Sequence, residues 1–446
     1  MKKVLIANRG EIASRIIKTC HEMGIETVAV YSDADRELPF VKQATVAHRI
    51  GEPPVLKSYL QMDKIIEIAE REQVDGVHPG YGFLSENASF AEAIAKRSIV
   101  FIGPSPSIIS LMGDKVKARQ TMIDAGVPVV PGSDCGIQTI DEACILAAEY
   151  GYPVMLKASG GGGGIGMVCC HSEEELQKAF QTTKTRAKSY FGNDEVFIEK
   201  FIPNARHIEV QIFGDHHGNI VHLFERDCSI QRRNQKVIEE TPSPFLSKET
   251  REKICNAAKK AAAFVQYTNA GTIEFIVDEE ENFYFLEMNT RLQVEHAITE
   301  MITNINLVKW QLLVARGEKL PLSQKEIILT GHSIEFRVYA EDPIKFFPSP
   351  GKIEEYTLPL DVQNVRVDNG YEVGTSVSPF YDPMIAKIIV KGNDRKETIQ
   401  IAQKYLNQIM IKGIKTNIPL FQEVIIEDSF LKGEYTTNYL QNLRRN

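Results

Sequence analysis

Residues 270–289 read AGTIEFIVDEEENFYFLEMN, and this stretch decides how the rest of the chain is interpreted. Residues 270–278 and 283–289 are rich in β-branched and aromatic side chains, which favour extended strands. Residues 279–282 between them are all polar, as is typical of a turn. The stretch therefore predicts a β-hairpin.

Two carboxylates face each other in this hairpin if its strands pair symmetrically about the turn. That register places Val277 opposite Tyr284 and Glu274 opposite Glu287. Directly opposed residues have Cβ atoms about 5 Å apart, where like charges repel, and the apolar neighbours make ionising both carboxylates costly. Asn289 adds an oxygen on the same face, so the pattern favours a site for a hard divalent cation. The alternative is a pair of solvent-facing glutamates on an edge strand.

Polar side chains continue beyond the hairpin at every second position. Glu287, Asn289, Arg291, Gln293 and Glu295 share one face if the segment stays extended. Carboxylates, amides and a guanidinium in one row predict a site lining with a metal at one end and an anion at the other. The alternative is a half-exposed edge strand.

The first part of the chain alternates strands with helices, which predicts an open α/β sheet. Its first strand-to-helix turn lacks the Gly-x-Gly-x-x-Gly fingerprint, so we reject a dinucleotide site and expect a nucleotide-like fold without a dinucleotide. The predicted strands are residues 3–7, 27–31, 74–77 and 99–102, and the predicted helices are residues 12–23 and 61–72.

A run of five glycines, residues 160–164, follows a short strand that ends at Lys157. Consecutive glycines are poor core residues, but their backbone N–H groups can approach an anion closely. Lys157 is close enough in the chain to reach a phosphate bound there. No Gly-Lys-Ser/Thr follows, so this is not a Walker loop. A flexible linker is the alternative, disfavoured because linkers usually mix serine with glycine.

Four further polar clusters each have two interpretations. Residues 199–202 follow a strand and are either a hinge that offers backbone groups to a purine or a plain strand end. His207 is either a ligand-binding or a structural histidine. Residues 225–236 carry four cations, which form either a solvated face or a positive funnel for anionic substrates. Arg337 alternates with Glu335 on a predicted strand, where a surface ion pair is the alternative to a functional arginine.

The composition is that of a soluble globular protein with several domains. The 446 residues are 43% apolar and 25% charged, and domains usually contain about 100–200 residues. The net charge of −8 argues against nucleic acid as a partner. We find no membrane span or signal peptide and expect a cytoplasmic location. Seven scattered cysteines without a Cys-x-x-Cys pair argue against disulfides and a zinc site.

Together these segments resemble the biotin carboxylases of the ATP-grasp superfamily. The matching runs cover essentially the whole chain and lie at residues 6–13, 78–87, 111–115, 157–167, 225–236, 287–295, 380–384 and 413–417. The chain departs from the common family pattern at Ile165, Asn234, Ala297 and Asn306.

The resemblance implies an α/β and α+β fold in three parts. Residues 1–113 would form a Rossmann-like pre-ATP-grasp domain, and residues 114–330 an ATP-grasp domain. A lid subdomain at about residues 131–203 would carry the mobile glycine-rich loop, and residues 331–446 would form a C-terminal domain with a mixed β-sheet.

The resemblance also implies residue roles. The nucleotide would be bound by Lys115, Lys157, Gly163, Gly164, Glu199, Lys200, Ile202, His207, Gln231, Asn234, Glu274 and Glu287. Magnesium or manganese, as two ions, would be held by Glu274, Glu287 and Asn289. Bicarbonate and biotin would be bound by Lys236, Arg291, Gln293, Val294 and Arg337. The catalytic residues would be Arg291, Lys236, Arg337 and Glu295, with Glu295 as general base.

The implied activity is ATP- and bicarbonate-dependent carboxylation of biotin through carboxyphosphate. The chain contains no biotinylation motif, so the biotin is expected on a separate biotin carboxyl carrier protein, with carboxyltransferase subunits and a second copy of the chain as further partners. The expected enzyme is acetyl-CoA carboxylase of fatty acid biosynthesis, with a pyruvate or other acyl-CoA carboxylase as the alternative. Rival hypotheses are another acyl-phosphate-forming ATP-grasp ligase and a non-catalytic nucleotide-binding regulator.

Overall fold

The computed structural model describes residues 1–133, 136–159, 166–359 and 362–444, apart from the side chains of Tyr190 and Phe191. The glycine run 160–164, with the predicted nucleotide-binding residues Gly163 and Gly164, lies outside the described residues, as does Ile165. None of the described helices is long and apolar enough to cross a membrane. Six cysteines are described, and all six are free thiols.

The N-terminal part is an open parallel sheet, as predicted, with one strand more than the pattern indicated. Its order is β3-β2-β1-β4-β5, and every pair is parallel. The strands are β1 (Lys3–Ile6), β2 (Glu26–Ser32), β3 (Val46–Gly51), β4 (Gly76–His78) and β5 (Val100–Phe101). The helices are α1 (Gly10–Glu22), α2 (Pro39–Gln43), α3 (Met62–Arg71), α4 (Ala88–Ala95) and α5 (Pro106–Gly113).

The crevice where such sheets bind dinucleotides is filled by the chain itself. In this strand order the crevice lies beyond the carboxyl ends of β1 and β4. There Arg9 donates to Asp35 at 2.7 Å and to the Tyr371 hydroxyl at 3.0 Å. A Cβ atom on Gly370 would lie 2.6 Å from the backbone nitrogen of Glu11, at the start of α1. Close packing of the C-terminal part thus covers the N-terminus of α1, where the Gly-x-Gly-x-x-Gly pattern of a dinucleotide site is missing from the sequence.

A small antiparallel sheet follows in the order β7-β6-β8. Its strands are β6 (Val154–Ala158), β7 (Met167–Cys170) and β8 (Val196–Lys200). The helices of this region are α6 (Lys115–Asp124), α7 (Ile140–Tyr150) and α8 (Glu173–Phe191). Apolar residues of α7 and α8 pack on this sheet and form a separate core.

One eight-stranded sheet joins the central and C-terminal parts of the chain, in the order β13-β12-β9-β10-β11-β14-β19-β17. Its pairs are antiparallel, including those of the C-terminal strands, where a mixed sheet was expected. The strands of this region are β9 (Arg206–Gly214), β10 (Ile220–Arg232), β11 (Gln235–Thr241), β12 (Asn269–Val277), β13 (Phe283–Asn289), β14 (His332–Tyr339), β15 (Gly351–Lys352), β16 (Glu355–Thr357), β17 (Val365–Asn369), β18 (Ser376–Val377), β19 (Met384–Gly392) and β20 (Met410–Lys412).

Helices cover both faces of this sheet. They are α9 (Lys248–Phe264), α10 (His296–Thr303), α11 (Leu307–Ala315), α12 (Arg395–Leu406), α13 (Ile418–Val424), α14 (Asp428–Lys432) and α15 (Tyr439–Leu443). The predicted closing helix at residues 396–410 ends earlier, at Leu406, because Met410 already pairs in β20. α9 packs on one face through apolar residues, and α10 packs on the other.

The predicted hairpin forms from β12 and β13, with one correction to its register. Val277 lies opposite Phe283, not opposite Tyr284 as predicted. The Asp278 carboxylate accepts the backbone N–H of Asn282 at 2.8 Å, which draws Asp278 into the turn and lengthens it. A register shift after Glu274 compensates, so Glu274 does lie opposite Glu287.

Candidate active site

A cavity of about 450 Å³ between the small sheet and the eight-stranded sheet brings the predicted site residues together. Residues far apart in the chain meet here because β9 to β14 and the segment after β13 all border the same space. Its lining includes every predicted site residue that the structure describes: Lys115, Lys157, Glu199, Lys200, Ile202, His207, Gln231, Asn234, Lys236, Glu274, Glu287, Asn289, Arg291, Gln293, Val294, Glu295 and Arg337.

Lys236 lies at the centre of the charged part of the cavity. Its Nζ lies 2.5 Å from Glu209 Oε2, 2.8 Å from Glu274 Oε1 and 2.8 Å from Glu295 Oε1. Burial lowers the pKa of Lys236, but the three carboxylates outweigh burial and keep the pKa well above its usual value. Lys236 therefore stays protonated and connects three separate segments of the chain.

Glu295 is fully buried between two cations, although a carboxylate at such a position would ordinarily be neutral. Arg337 Nη2 donates to its Oε2 at 2.8 Å, opposite the contact with Lys236. Burial raises the pKa of Glu295, but Lys236, Arg337 and Arg226 together hold that pKa well below its usual range. The carboxylate is thus ionised and oriented, and it becomes a stronger base when either neighbouring cation turns towards another anion.

The structure decides between the interpretations of the basic clusters. Arg337 is buried and pairs with Glu295 and, at 2.5 Å, with Glu239, so the surface ion pair with Glu335 is wrong. The interpretation of residues 225–236 as a solvated face is wrong for Arg226, which is fully buried and donates to Glu209 Oε1 at 2.5 Å. It is also wrong for Arg232, which pairs with Glu341, whereas Arg233 is exposed.

The segment after Asn289 does not stay extended, which corrects the predicted row. β13 ends at Asn289, and residues 290–295 form no strand. Side-chain hydrogen bonds still bring the same groups together, since Arg291 donates to Asn289 Oδ1 at 2.7 Å and Gln293 donates to Glu274 Oε1 at 3.1 Å. The polar side chains therefore converge through their own contacts and not through strand periodicity.

The two opposed carboxylates of the hairpin have oxygen donors suited to a hard cation. Glu274 Oε1 lies 3.0 Å from Asn289 Nδ2, and Glu287 Oε2 lies 3.6 Å from Lys115 Nζ. Burial raises the pKa of Glu274, but Lys236 and His207 outweigh burial and hold that pKa well below its usual value. Two carboxylates and one amide oxygen on a single sheet face fit Mg²⁺ or Mn²⁺.

His207 belongs to the same cluster. Its Nε2 lies 3.0 Å from Glu274 Oε2, and its Nδ1 lies 3.1 Å from Gln231 Nε2. His207, Glu209 and Glu274 also bring potential ligand atoms within 4.8 Å of one another. His207 therefore lines the cavity in contact with Glu274 and is not an isolated histidine.

The other end of the cavity is suited to a flat, partly apolar ligand. Lys157 pairs with Glu199, and Arg119 Nη1 lies 3.7 Å from Glu199 Oε1. The backbone N–H of Lys200 bonds to the Pro131 carbonyl at 2.8 Å, so the 199–202 segment is anchored on one side. Apolar side chains on the remaining walls are Met155, Phe197, Ile202, Phe285 and Leu286.

Sequence reasoning missed several lining or supporting residues. Glu209 was recognisable, because it alternates with His207 and Gln211 on one strand face. Asp382, Thr437 and Asn438 also line the cavity. Asp382 lies in the matching run 380–384, although it was given no role, and no local pattern marks Thr437 and Asn438. They are brought to the site by the return of the C-terminal segment.

A buried polar row crosses the sheet face that α10 covers. Directly opposed residues share a face, so their pairing defines the row. The opposed pairs are Glu274 with Glu209, Glu209 with Arg226, Glu239 with Glu335, Arg337 with Lys387, and Lys387 with Asp368. Ion pairs connect the members of this buried polar row, since Lys236 contacts Glu209 and Glu295, and Arg337 contacts Glu295 and Glu239.

Family models match three consecutive stretches of the chain. They are described as biotin carboxylase, N-terminal domain, over residues 1–109; carbamoyl-phosphate synthase L chain, ATP binding domain, over residues 114–323; and biotin carboxylase C-terminal domain, over residues 335–442.

Similar proteins match the chain along nearly its whole length. It is 57% identical to biotin carboxylase of Halalkalibacterium halodurans, over 99% of this chain and 97% of that protein. It is 56% identical to biotin carboxylase 2 of Bacillus subtilis, over 98% of this chain and 99% of that protein. The biotin carboxylase domain dimer of Hydrogenobacter thermophilus 2-oxoglutarate carboxylase, solved with MgADP, ADP and bicarbonate, superposes with a TM-score of 0.96 at 46% identity, over 99% of this chain and 97% of that one. The chain therefore belongs to the biotin carboxylase family of ATP-dependent ligases.

Proposed function

We propose that this chain uses ATP and bicarbonate to carboxylate biotin presented by a separate carrier protein. The observation that carries the proposal is the position of Glu295 between Lys236 and Arg337, in the same cavity as the opposed carboxylates Glu274 and Glu287. A base, two cations and a group of oxygen ligands within one cavity suit the activation of bicarbonate by a nucleotide.

We further propose that the chain divides at residues 113/114 and 330/331, with a lid subdomain at about residues 131–203. Support comes from the family-model matches, which change at similar positions, and from the separate core of the small sheet.

In this proposal the phosphates and ribose of ATP contact Lys115, Lys157, His207, Gly163 and Gly164. The adenine lies against Glu199, Lys200 and Ile202, with Gln231 and Asn234 along the nucleotide. Glu274, Glu287 and Asn289 hold the magnesium or manganese ions, which supply charge neutralisation at the phosphates. The directly opposed carboxylates of Glu274 and Glu287, with the Asn289 side chain beside them, support this assignment.

The chemistry begins with proton removal. Glu295 takes the proton of bicarbonate, whose oxygen attacks the γ-phosphorus of ATP and releases ADP, giving carboxyphosphate. Lys236, Arg291, Gln293 and the Val294 backbone hold the bicarbonate, and positioning of this kind is the main source of catalysis in phosphoryl transfer.

The second step transfers the carboxyl group. Carboxyphosphate breaks into CO₂ and phosphate, the phosphate takes the N1′ proton of biotin, and N1′ attacks the CO₂. Arg337 stabilises the negative charge that develops on the ureido oxygen, an effect that is large where water is excluded.

For the complete enzyme we propose acetyl-CoA carboxylase, with biotin carboxyl carrier protein, carboxyltransferase subunits and a second copy of this chain as partners in the cytoplasm. The similarity to two relatives named biotin carboxylase supports the biotin carboxylase role within such an enzyme. Reconstitution with candidate carrier and carboxyltransferase pairs tests the acceptor. Carboxylation of pyruvate, 2-oxoglutarate or another acyl-CoA with its cognate pair, and not of acetyl-CoA, would contradict it.

The activity is tested with the purified chain, MgATP, labelled bicarbonate and free biotin. We expect bicarbonate-dependent ADP release and label in carboxybiotin, and we expect Glu295→Gln to remove both. ATP cleavage that ignores biotin and fixes no carbon would instead favour another acyl-phosphate-forming ligase. Nucleotide binding without cleavage would favour a regulator.

A further inference from the structure

Glu239 and Glu335 are an unusual pair within the buried polar row. They are directly opposed across β11 and β14, and both are fully buried. Among the described residues, neither oxygen of Glu335 has a hydrogen-bond partner, and Glu239 has only the ion-pair contact of its Oε1 with Arg337 Nε at 2.5 Å. Opposed residues have Cβ atoms about 5 Å apart, so two ionised carboxylates would repel each other strongly in this water-poor position.

The comparison with Glu274 and Glu209 shows what is different. Those two glutamates are also directly opposed, but Lys236 lies between them, 2.8 Å from one and 2.5 Å from the other. Within the described part of the chain, Arg337 is the one cation at ion-pair distance from Glu239 or Glu335. Of these two glutamates, it contacts only Glu239. A single cation, Arg337, is therefore available to offset the charge of the two carboxylates.

The neighbouring charges have other partners. Lys387 Nζ donates to the Val294 carbonyl at 2.6 Å and lies 3.4 Å from Glu11 Oε1. Arg226 pairs with Glu209. The charged or titratable groups that face the pair from the surrounding elements are Arg226 on β10, Lys236 on β11, Arg337 on β14, Lys387 on β19, and Glu295 and His296 at the start of α10.

We propose that Glu239 and Glu335 share one proton and, as a pair with a single negative charge, act as positioning residues for Arg337. This inference rests on the proposed role of Arg337 in biotin carboxylation. The ionised member, Glu239, contacts the Nε edge of the guanidinium, while Nη2 of the same group contacts Glu295. Arg337 is thereby fixed between a carboxylate behind the site and the base within it.

The titration of the pair follows from its surroundings. Burial raises the pKa of Glu239 to about 7, against the lowering effect of Arg337, and burial raises the pKa of Glu335 well above its usual value. Glu335 therefore retains the proton at neutral pH, and Glu239 ionises as the pH rises through about 7. Below that pH, Glu239 is neutral and Glu295 is the one ionised partner of Arg337. The stronger contact with Arg337 makes Glu295 a weaker base, so carboxylation decreases towards acid pH.

Glu335→Gln and Glu239→Gln test the inference through the pH dependence of kcat for biotin carboxylation. Glu335→Gln replaces a protonated carboxyl group with a neutral amide, so the acid limb, which reports Glu239, should move little. Glu239→Gln removes the group that ionises near pH 7 and should abolish the acid limb. It also removes the Nε partner of Arg337. We expect the KM for biotin to rise about tenfold, as for other residues that orient a catalytic group, with a smaller effect on bicarbonate-dependent ATP cleavage.

Glu225→Gln is the matched control. Glu225 is also fully buried in the same sheet and pairs with an arginine, Arg251, at 2.7 Å, but outside the buried polar row. This substitution is expected to lower the melting temperature without moving the acid limb.

Infrared difference spectra of labelled protein give an assay that does not depend on turnover. A protonated carboxyl band that the wild type retains well above pH 7, where Glu239 is ionised, should be missing in Glu335→Gln. Superimposable pH profiles and spectra in the wild type and in whichever Gln variant folds would overturn the inference. Failure of the proposed function would be distinct, since the wild type itself would then fix no carbon on biotin.

Discussion

Glu274 and Glu287 lie directly opposite each other across β12 and β13, yet their surroundings differ sharply. Glu274 is buried and contacts Lys236, His207, Asn289 and Gln293. The side chain of Glu287 is 28% exposed, and the ion pair it makes is a 3.6 Å contact with Lys115. Substitution of Glu274 therefore disturbs a buried network, whereas substitution of Glu287 tests ligand chemistry with little structural effect.

Glu287→Gln is expected to abolish metal-dependent turnover and leave the fold intact. The amide keeps the shape of the side chain but removes the charge that a divalent cation needs. Apparent magnesium affinity should fall by at least about tenfold, a loss seen even for groups that only support a metal ligand. Titration of ATP cleavage with Mg²⁺ and Mn²⁺ measures the effect. Glu279→Gln, in the exposed turn of the same hairpin, is the control, and normal magnesium dependence in Glu287→Gln would contradict the metal assignment.

Arg337→Ala is expected to separate the two half-steps. Biotin carboxylation should fall by about a hundredfold or more, the usual effect of removing one group that stabilises a developing oxyanion. Bicarbonate-dependent ATP cleavage should decline less, because Lys236 still contacts Glu295. Parallel assays of ADP release and carbon fixation on one preparation make the comparison. Equal loss of both activities would mean that Arg337 acts in the first step.

Stability should fall in acid because of Glu240. Burial raises the pKa of Glu240, but hydrogen bonds from His332 and Arg395 outweigh it and set that pKa at about 2, below its ordinary 4.5. A carboxyl group whose pKa is depressed on folding stabilises the protein above its unfolded pKa, and that contribution is lost as the pH falls. Between about pH 5 and pH 2 the loss is on the order of 3 kcal/mol from this group.

Urea denaturation at a series of pH values checks this dependence. Glu240→Gln should be less stable at neutral pH and show a shallower decline in acid. Glu67→Gln, at an exposed position on α3, should keep the wild-type slope. An unchanged slope in Glu240→Gln would show that other carboxylates cause the acid lability.

Gly370→Ala is expected to destabilise the contact between the N-terminal and C-terminal parts. The added Cβ would lie 2.6 Å from the Glu11 nitrogen and 3.0 Å from the Gly10 carbonyl carbon, both backbone atoms. Overpacking of this kind usually costs about 1–3 kcal/mol. Thermal unfolding measures the loss, and Gly113→Ala, whose Cβ would meet nothing within 4 Å, is the control. A melting temperature equal to that of the wild type would show that the junction can shift freely.

The hairpin shows how far local pattern could predict the site. Strand composition and a polar turn were sufficient to pair Glu274 with Glu287, and that pairing is confirmed. The turn register was wrong, because an Asp278 side-chain bond sets the turn length and a bulge on β13 compensates. The alternation of polar and apolar residues predicts neither the Asp278 hydrogen bond nor the bulge.

Alternation also could not distinguish a strand from a loop that lines a cavity. Arg291 and Gln293 converge on the site through side-chain hydrogen bonds after β13 has ended. Long-range neighbours such as Asp382 and Asn438 depend on the path of the C-terminal segment, which no single segment specifies. The buried state of Arg226 likewise depends on α10 covering the sheet.

The shared eight-stranded sheet limits how this molecule can be divided. Residues 238–241 of β11 pair with β14, which begins only at His332. A fragment ending near residue 330 would therefore have a bare row of backbone donors and acceptors along that part of β11. Such an open edge recruits other chains and promotes aggregation. The same cut would leave Glu239 and Glu295 buried without the guanidinium that neutralises them. The boundary between the family models near residue 330 is therefore not a position at which the polypeptide can be cut into two fragments that fold and function.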